Sequence, residues 1–320
     1  SFDRDEPDGA AIADYERLMT ALSAAHIEPI VTLQHFSFPD WLSNVDKPDE
    51  PQGFERPESA ALFAEWAARM AKRFGRYVDT WVTINEPLNM ALGGYVQGSF
   101  PPGRLLAMDR AFKMARGAAE AHARAYDALH ANDSVKAWPG SPSSARVSMA
   151  FHLRTFHPSD PDYTDDVKAA ERVHYIWNEW IVNIVNDGNV DADLDGKLTG
   201  PDDVTASPTL AHRLDYLGIN YYSDTIIAAH TGLVVPVIDA SVRQDNLPTG
   251  RPRSDFGWDI YPEGFGTVLR SLKRYKLPVM VLENGIADAN DGNRPRFLIE
   301  HLYEMGLAMQ DGVDVVGYMH

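Results

Sequence analysis

Short β-rich runs alternate with helical segments along nearly the whole chain, and few architectures accept that order. Six runs read as strands, at residues 27–33, 79–85, 146–152, 215–221, 277–282 and 313–319. Segments with the apolar spacing of a helix lie around them, at residues 11–25, 58–75, 105–131, 163–186, 262–275 and 293–310. This alternation predicts parallel βαβ units in an α/β protein, although six strands are too few to close an eight-stranded barrel.

No linker or internal repeat divides the 320 residues, and a single α/β barrel commonly has this length. We therefore predict one domain at residues 1–320. Two stretches, 138–144 and 231–256, are predicted to be insertions between barrel elements.

The composition argues against several classes of protein. A formal charge of −17, with no basic stripe, argues against a nucleic-acid partner. The chain has no cysteine, which excludes a disulfide framework, a thiolate metal site and a cysteine nucleophile. No apolar run reaches the roughly 18 residues of a membrane span, so we expect no membrane partner. The cellular compartment is left open.

Three of the predicted strands end on polar motifs. The sequence TINEP stands at 83–87, INYY at 219–222 and VLENG at 281–285. In a (β/α)₈ barrel the carboxyl ends of the strands form the active face, so these residues are site candidates. A single strand-end glutamate is more often a cap or a surface charge, and each motif alone is common. Two such glutamates, Glu86 and Glu283, favour a catalytic pair.

Two carboxylates on opposite sides of a glycosidic bond are what glycoside hydrolysis requires. One protonates the leaving oxygen, while the other stabilises or attacks the developing cation at the anomeric carbon. Asn85 is a candidate donor to a sugar hydroxyl, and Tyr222 is a candidate donor that would keep the nucleophile ionised. No HExxH, GxGxxG or Walker motif offers a competing chemistry.

This ordered set of motifs resembles family 1 of the glycoside hydrolases, the β-glucosidase family, over nearly all of the chain. The family's acid/base motif, Thr-(Phe/Leu/Ile)-Asn-Glu-Pro, is matched at 83–87. Its nucleophile motif, (Ile/Val)-Thr-Glu-Asn-Gly, is matched at 281–285 with Leu282 in place of Thr. Asn-Tyr-Tyr follows the family order at 220–222, and TLQHF at 32–36 is similar to the segment whose histidine contacts the sugar.

The resemblance implies a retaining β-glycosidase, most simply a β-glucosidase, with Glu86 as acid/base and Glu283 as nucleophile. The implied substrate-binding residues are His35 and Asn85 at the glycone, with Asn220 and Tyr222 supporting the catalytic pair. Hydrolysis would proceed by double displacement without an organic cofactor, on a small-molecule β-glycoside or oligosaccharide. A phospho-β-glycosidase and a transglycosylase stay open as alternatives, as does a homo-oligomeric state.

The resemblance also implies that the chain carries only strands three to eight of the family's (β/α)₈ barrel. The family's first two strands bring a sugar-binding Gln and an Arg beside the nucleophile, and its last strand is followed by a Trp and a Glu-Trp pair. None of these has a counterpart here, so we expect a catalytic domain truncated at both ends. A non-catalytic barrel remnant that binds sugars or a partner is the alternative, against which the two intact glutamates argue.

One acidic segment has the spacing of a calcium loop. Asp191, Asp193 and Asp195 precede Gly196 in the pattern Asp-x-Asp-x-Asp-Gly. Asp202 falls at the twelfth position, where a bidentate carboxylate would bind the ion. A bound Ca²⁺ would have a structural role. The competing interpretation is an acidic surface turn, since no paired helix is evident.

Overall fold

The structure is a computed structural model that describes residues 8–229, 241–243 and 250–320. The chain forms two compact units. The first comprises Ser1–Ala150 and Pro208–Asp215, and the second comprises Phe151–Ser207 and Tyr216–His320. The prediction of one catalytic domain at residues 1–320 stays a prediction, and the predicted insertion at 231–256 lies mostly outside the described residues.

Helices and parallel strands alternate in the first unit. In chain order its elements are α1 (Gly9–Ala24), β1 (Ile30–Gln34), α2 (Ser59–Phe74), β2 (Thr80–Asn85), α3 (Pro87–Tyr95), α4 (Met108–Asn132) and β3 (Arg146–His152), with a short 3₁₀ helix at Gly53–Glu55. The last two residues of β3 belong to the second unit. β1 pairs with β2, and β2 pairs with β3, both in parallel.

The core of the first unit lies between these strands and the helices α2 and α4. Trp81 and Val147 on the strands cluster with Phe74 and Leu129 on the helices, and all four side chains are buried. α4 approaches the 3₁₀ helix so closely that a Cβ at Gly117 would overlap the carbonyl group of Phe54. Only glycine fits there.

The second unit contains two sets of strands. Its elements are β4 (Thr155–Pro158), α5 (Thr164–His174), α6 (Trp180–Asp187), β5 (Leu217–Asn220), β6 (Asp224–Ala228), β7 (Ser241–Arg243), α7 (Pro262–Ser271), β8 (Val279–Glu283), α8 (Arg294–Gln310) and β9 (Val315–Tyr318). β5, β8 and β9 pair in that order and in parallel. β4 pairs in parallel with β6, and β6 pairs with β7 in antiparallel.

In the second unit, as in the first, helices cover buried strands. Ile219 and Val281, on the neighbouring strands β5 and β8, are fully buried. The ring of Tyr221 contacts Phe265 of α7 and His301 of α8, so both helices cover these strands. No helix among the described residues is long and apolar enough to cross a membrane.

The predicted alternation is confirmed, since each of the six predicted strands and each predicted helical segment has a counterpart. The predicted helix at 163–186 is divided by a π-helical turn at Tyr175–Glu179. The elements that were not predicted include α3 and the strands β4 and β6 of the small sheet. These strands are short, with four and five residues, and strands of that length leave little periodicity in a sequence.

Candidate active site

Glu86 lies at the junction between β2 and α3, in an unusual backbone conformation. Its φ of 43° and ψ of 63° place it in the left-handed region, which costs a residue with a side chain about 1–2 kcal/mol. The backbone N–H of Glu86 donates to the carbonyl of Ala150 (2.8 Å), and Pro87 starts the helix directly after it. The side chain is 7% exposed. A buried acid on a strained residue does not fit the surface-charge interpretation.

Asn85 and His35, the two predicted glycone-binding residues, lie together in the first unit. Asn85 is the last residue of β2, and His35 directly follows β1. Their side-chain nitrogens, Nδ2 of Asn85 and Nε2 of His35, are 3.4 Å apart. Asn85 is buried, whereas His35 is exposed. The pair therefore offers an amide fixed by the fold beside an imidazole that an incoming molecule can reach.

Glu283, the predicted nucleophile, is the last residue of β8, where the strand meets its neighbour β5. Its side chain is half-buried, and its Oε2 accepts a hydrogen bond from the hydroxyl of Tyr222. The backbone N–H of Tyr221 donates to the carbonyl of Glu283 at 3.0 Å, which ties the two strand ends together. Asn220 lies opposite Glu283 in the ladder and is fully buried. The structure thus brings together three of the predicted site residues in the second unit.

Asn284, the residue after Glu283, has a structural contact that motif reasoning missed. Its Nδ2 donates to the carbonyl of Tyr221 (2.8 Å), and its Oδ1 accepts from the hydroxyl of Tyr318 (2.8 Å). Burial raises the pKa of Tyr318 to about 12, so its hydroxyl stays a donor at neutral pH. The buried Asn284 amide therefore connects the ends of β5, β8 and β9 directly beside Glu283, the predicted nucleophile.

The acidic loop of the second unit brings together three of its four predicted ligands. Asp191, Asp193 and Asp195 each offer a carboxylate oxygen within 4.8 Å of the others, but Asp202 is not in this group. Its neighbour Asp203 folds back instead, accepting the backbone N–H groups of the loop through both carboxylate oxygens (2.8 and 2.6 Å).

Asp191 is the buried member of this loop and already has partners within the protein. Its two oxygens accept the backbone N–H groups of Leu194 (2.7 Å) and Gly196 (2.8 Å). The other two aspartates are exposed. The contacts that shape the loop are thus the backbone-to-carboxylate bonds of an Asx-type turn, and the calcium site stays a prediction.

Comparison with known proteins gives the family. The model of the family described as Glycosyl hydrolase family 1 matches residues 3–320 of this chain. A β-galactosidase of Pyrococcus woesei is 31% identical over 97% of this chain, and a 6-phospho-β-galactosidase of Staphylococcus aureus is 27% identical over 95% of it. The crystal structure of a β-glycosidase from Thermosphaera aggregans superposes with a TM-score of 0.81, at 28% identity and over 98% of this chain.

These relatives are longer proteins. The chain spans 63% of the P. woesei β-galactosidase, 69% of the S. aureus protein and 62% of the T. aggregans chain. The fold class predicted from the sequence, part of a (β/α)₈ barrel, is confirmed by the structural similarity and by the parallel strands with intervening helices. The match of the family over residues 3–320 shows that the chain belongs to family 1 of the glycosyl hydrolases.

Proposed function

We propose that the chain is the catalytic part of a retaining β-glycosidase that hydrolyses terminal β-linked glycosides. Family membership supports the reaction class. The observation that carries the assignment of roles is the hydrogen bond from Tyr222 to Glu283, at the strand end that matches the family's nucleophile motif. A hydroxyl donor favours the ionised form of a carboxylate, and an ionised carboxylate is what attack on an anomeric carbon requires.

The reaction has two displacement steps. In the first, Glu283 attacks the anomeric carbon as Glu86 gives its proton to the aglycone oxygen, so the glycosidic bond breaks and a glycosyl ester forms on Glu283. In the second, Glu86 takes a proton from water, the water oxygen attacks the anomeric carbon, and the ester bond to Glu283 breaks. The two inversions together retain the anomeric configuration. Both carboxylates come from the chain, so we propose that no organic cofactor participates.

The substituents of the sugar are bound by the amide of Asn85 and the imidazole of His35. Hydrogen bonds to the hydroxyl beside the anomeric centre strengthen as charge develops on the ring, so they stabilise the transition state more than the substrate. We expect Asn85→Ala to lower the rate of the first step more than it weakens binding.

We propose that the glycone is an uncharged sugar, and that it is glucose rather than another hexose. The relatives above are named for galactosides and for a 6-phosphogalactoside. The net charge of −17 disfavours an anionic substrate through long-range repulsion. Turnover of para-nitrophenyl β-glucoside, β-galactoside, β-fucoside and 6-phospho-β-galactoside separates these cases. A preference for the phosphorylated substrate would overturn this part of the proposal.

Two alanine variants test the roles of the two carboxylates. Glu86→Ala keeps the first step for substrates with a good leaving group and loses the second, and azide restores turnover by replacing the water that Glu86 would activate. Glu283→Ala loses ordinary hydrolysis, because no nucleophile is left to form the ester.

Glu300→Ala is the matched control, because Glu300 is a glutamate on the surface of α8 that pairs with Arg296. It should leave turnover unchanged. If neither the wild-type chain nor Glu86→Ala with azide turns over any of these substrates while a β-glycoside still binds, the non-catalytic sugar-binding alternative replaces the proposal.

A further inference from the structure

The hydroxyl that reaches Glu283 belongs to a ring enclosed by two other aromatic side chains. The ring of Tyr222 contacts His152 edge-to-face, with centroids 5.8 Å apart and planes at 84°. It also contacts the indole of Trp258, at 5.9 Å and 56°. His152 is at the carboxyl end of β3, and Tyr222 follows β5. The orientation of Tyr222 is therefore set by the positions of these two neighbours.

Both neighbours are contacted by one buried cation, Arg154. Its Nε–H donates to Nε2 of His152 at 3.1 Å, and its guanidinium carbon lies 5.4 Å from the ring centroid of Trp258. A second guanidinium nitrogen donates to the hydroxyl of Thr225 at 2.9 Å. Arg154 is 6% exposed. A planar guanidinium with several donors suits this role, since it can bind an acceptor at its edge and lie against a ring.

The backbone of Arg154 is fixed as well. The side-chain amide of Asn178 accepts the N–H of Arg154 at 3.1 Å and donates to its carbonyl at 2.7 Å. Asn178 lies in the π-helical turn that divides α5 from α6, and such turns recur at functional sites. Arg154 is thus held at both ends: Asn178 binds its backbone, and Thr225 binds its guanidinium.

The contact with Arg154 also fixes the chemical state of His152. Because Nε2 accepts a hydrogen bond, the ring proton must reside on Nδ1. Burial, together with the positive charge of Arg154, holds the pKa of His152 well below its usual value. His152 is therefore a neutral ring with one tautomer, and it presents the same face to Tyr222 at neutral pH.

We propose that Arg154 is a positioning residue for the nucleophile: it holds His152 and Trp258 in place against Tyr222, and so keeps the Tyr222 hydroxyl on Glu283. This role rests on the proposed function of Glu283. Arg154 contacts His152 and Trp258, and these two rings contact Tyr222. Its effect on the reaction passes through the hydroxyl of Tyr222, and this restriction makes the proposal testable.

The test is a double-mutant cycle between Arg154→Met and Tyr222→Phe. Methionine replaces the length of the arginine without its charge or donors. The readout is the rate at which a 2-deoxy-2-fluoro β-glucoside inactivates the enzyme, since this isolates the first displacement. Each single variant should slow inactivation about tenfold or more. The double variant should be no slower than Tyr222→Phe alone, because Arg154 has nothing left to position.

Two further variants serve as controls. Arg154→Lys keeps the charge but loses the planar fork, so it should not restore the wild-type rate. Arg251→Met removes a different arginine of the same unit, one that lies over the ring of Tyr261 and pairs with Asp224, and it should leave the inactivation rate within about twofold. If Arg154→Met does not fold, His152→Leu replaces it in the cycle, with the same expected non-additivity.

A crystal structure of the Arg154→Met variant provides the second readout. The proposal expects the ring of Tyr222 to move and its bond to Glu283 to be lost, while the strands keep their positions. An unchanged bond between Tyr222 and Glu283, or additive rate losses in the cycle, would overturn it. If the wild-type chain is not inactivated at all, the proposed function fails, and this crystal structure still decides the role of Arg154.

Discussion

Glu86 has the backbone conformation of a glycine while carrying a buried carboxyl group. The left-handed conformation and the hydrogen bond to Ala150 fix its position. Strain of this kind persists where the side chain has a task. The motif at 83–87 predicted which residue would be special, but the strain became visible only in the structure.

Replacement of Glu86 should reveal this strain as a difference in stability. Glu86→Gly should be more stable than Glu86→Ala by about 1 kcal/mol, since glycine adopts the left-handed region without a steric penalty. Urea denaturation of the two variants measures the difference. At Ala91, within α3, the opposite order is expected: Ala91→Gly should be less stable than the wild type, because glycine destabilises a helix interior. A more stable Glu86→Ala would contradict the inferred strain.

Asp133 should make the stability of the chain depend on pH. Its carboxylate is buried and accepts from the indole N–H of Trp81 at 3.0 Å, and burial raises its pKa to about 6. A raised pKa means that the folded chain prefers the protonated acid. Its stabilising contribution is therefore complete below the unfolded value of 3.8 and is lost as the pH rises through about 6.

The difference in unfolding free energy between wild type and Asp133→Asn isolates this effect. Between about pH 4 and pH 7 the wild type should lose on the order of 3 kcal/mol relative to the variant, because one pKa unit corresponds to about 1.4 kcal/mol. Denaturant unfolding across this range provides the measurement. Parallel pH dependences would show that Asp133 has the same pKa in both states.

At the scale of elements, a buried ion pair joins three helices of the first unit. Glu55 in the 3₁₀ helix accepts two donors of Arg110 from α4, at 2.8 and 2.7 Å, and the hydroxyl of Tyr95 from α3 at 2.6 Å. Burial acts to raise the pKa of Glu55, but the bonds from Arg110 and Tyr95 outweigh it and leave the pKa lowered. α3, which begins directly after Glu86, is thereby anchored at its other end.

Removal of the Arg110 cation from this network should destabilise the folded chain. Arg110→Met should lower the unfolding free energy by about 3 kcal/mol at neutral pH, because it leaves the buried carboxylate of Glu55 without a counter-charge. The loss should begin to shrink below the unfolded value of 4.5 and should disappear as the pH falls through the lowered pKa of Glu55, because a protonated acid no longer requires a counter-charge. Arg296→Met, at an exposed pair on α8, should change stability by less than about 1 kcal/mol. Equal effects at both sites would contradict the account.

The acidic loop gives a prediction about metal. If it binds calcium as its spacing predicts, Ca²⁺ should raise the midpoint of thermal unfolding by an amount that grows with the logarithm of its concentration above the dissociation constant, and EDTA should reverse the shift. Asp193→Asn should abolish the response, because it removes one of the three clustered carboxylates that would bind the ion. Identical midpoints in Ca²⁺ and EDTA would identify the loop as an acidic turn held by Asp191 and Asp203.

The elements also show how far sequence reasoning reaches. Runs such as VMVLE at Val279–Glu283 are apolar and bounded by turn residues, so strands at these positions were predictable. The helix α3 (PLNMALGGY) was not predictable, because its two glycines have a low helix propensity and the helix depends on Pro87 and on burial against α4. The contacts that join His152, Arg154 and Tyr222 could not be predicted either, since Tyr222 lies about 70 positions from the other two and the three residues share no motif.

At the scale of the whole molecule, the chain divides its candidate chemistry between two compact units. The first contains Glu86 with His35 and Asn85, and the second contains Glu283 with Asn220 and Tyr222. Within each unit the candidate residues lie at the carboxyl ends of parallel strands. The family match extends over both units, and the proposed mechanism assigns the attack on the sugar to Glu283. Its central claim is that Glu283 forms a covalent bond with the sugar.

Trapping of that bond is the most direct measurement. In a 2-deoxy-2-fluoro β-glucoside the fluorine slows both steps, and a good leaving group restores the rate of the first step only. The glycosyl ester therefore accumulates. Peptide mass spectrometry of the treated chain should find one fluoroglucosyl adduct, on the peptide that contains Glu283, and none in Glu283→Ala. An adduct on Glu86 instead, or no adduct on a folded chain that binds the sugar, would contradict the account.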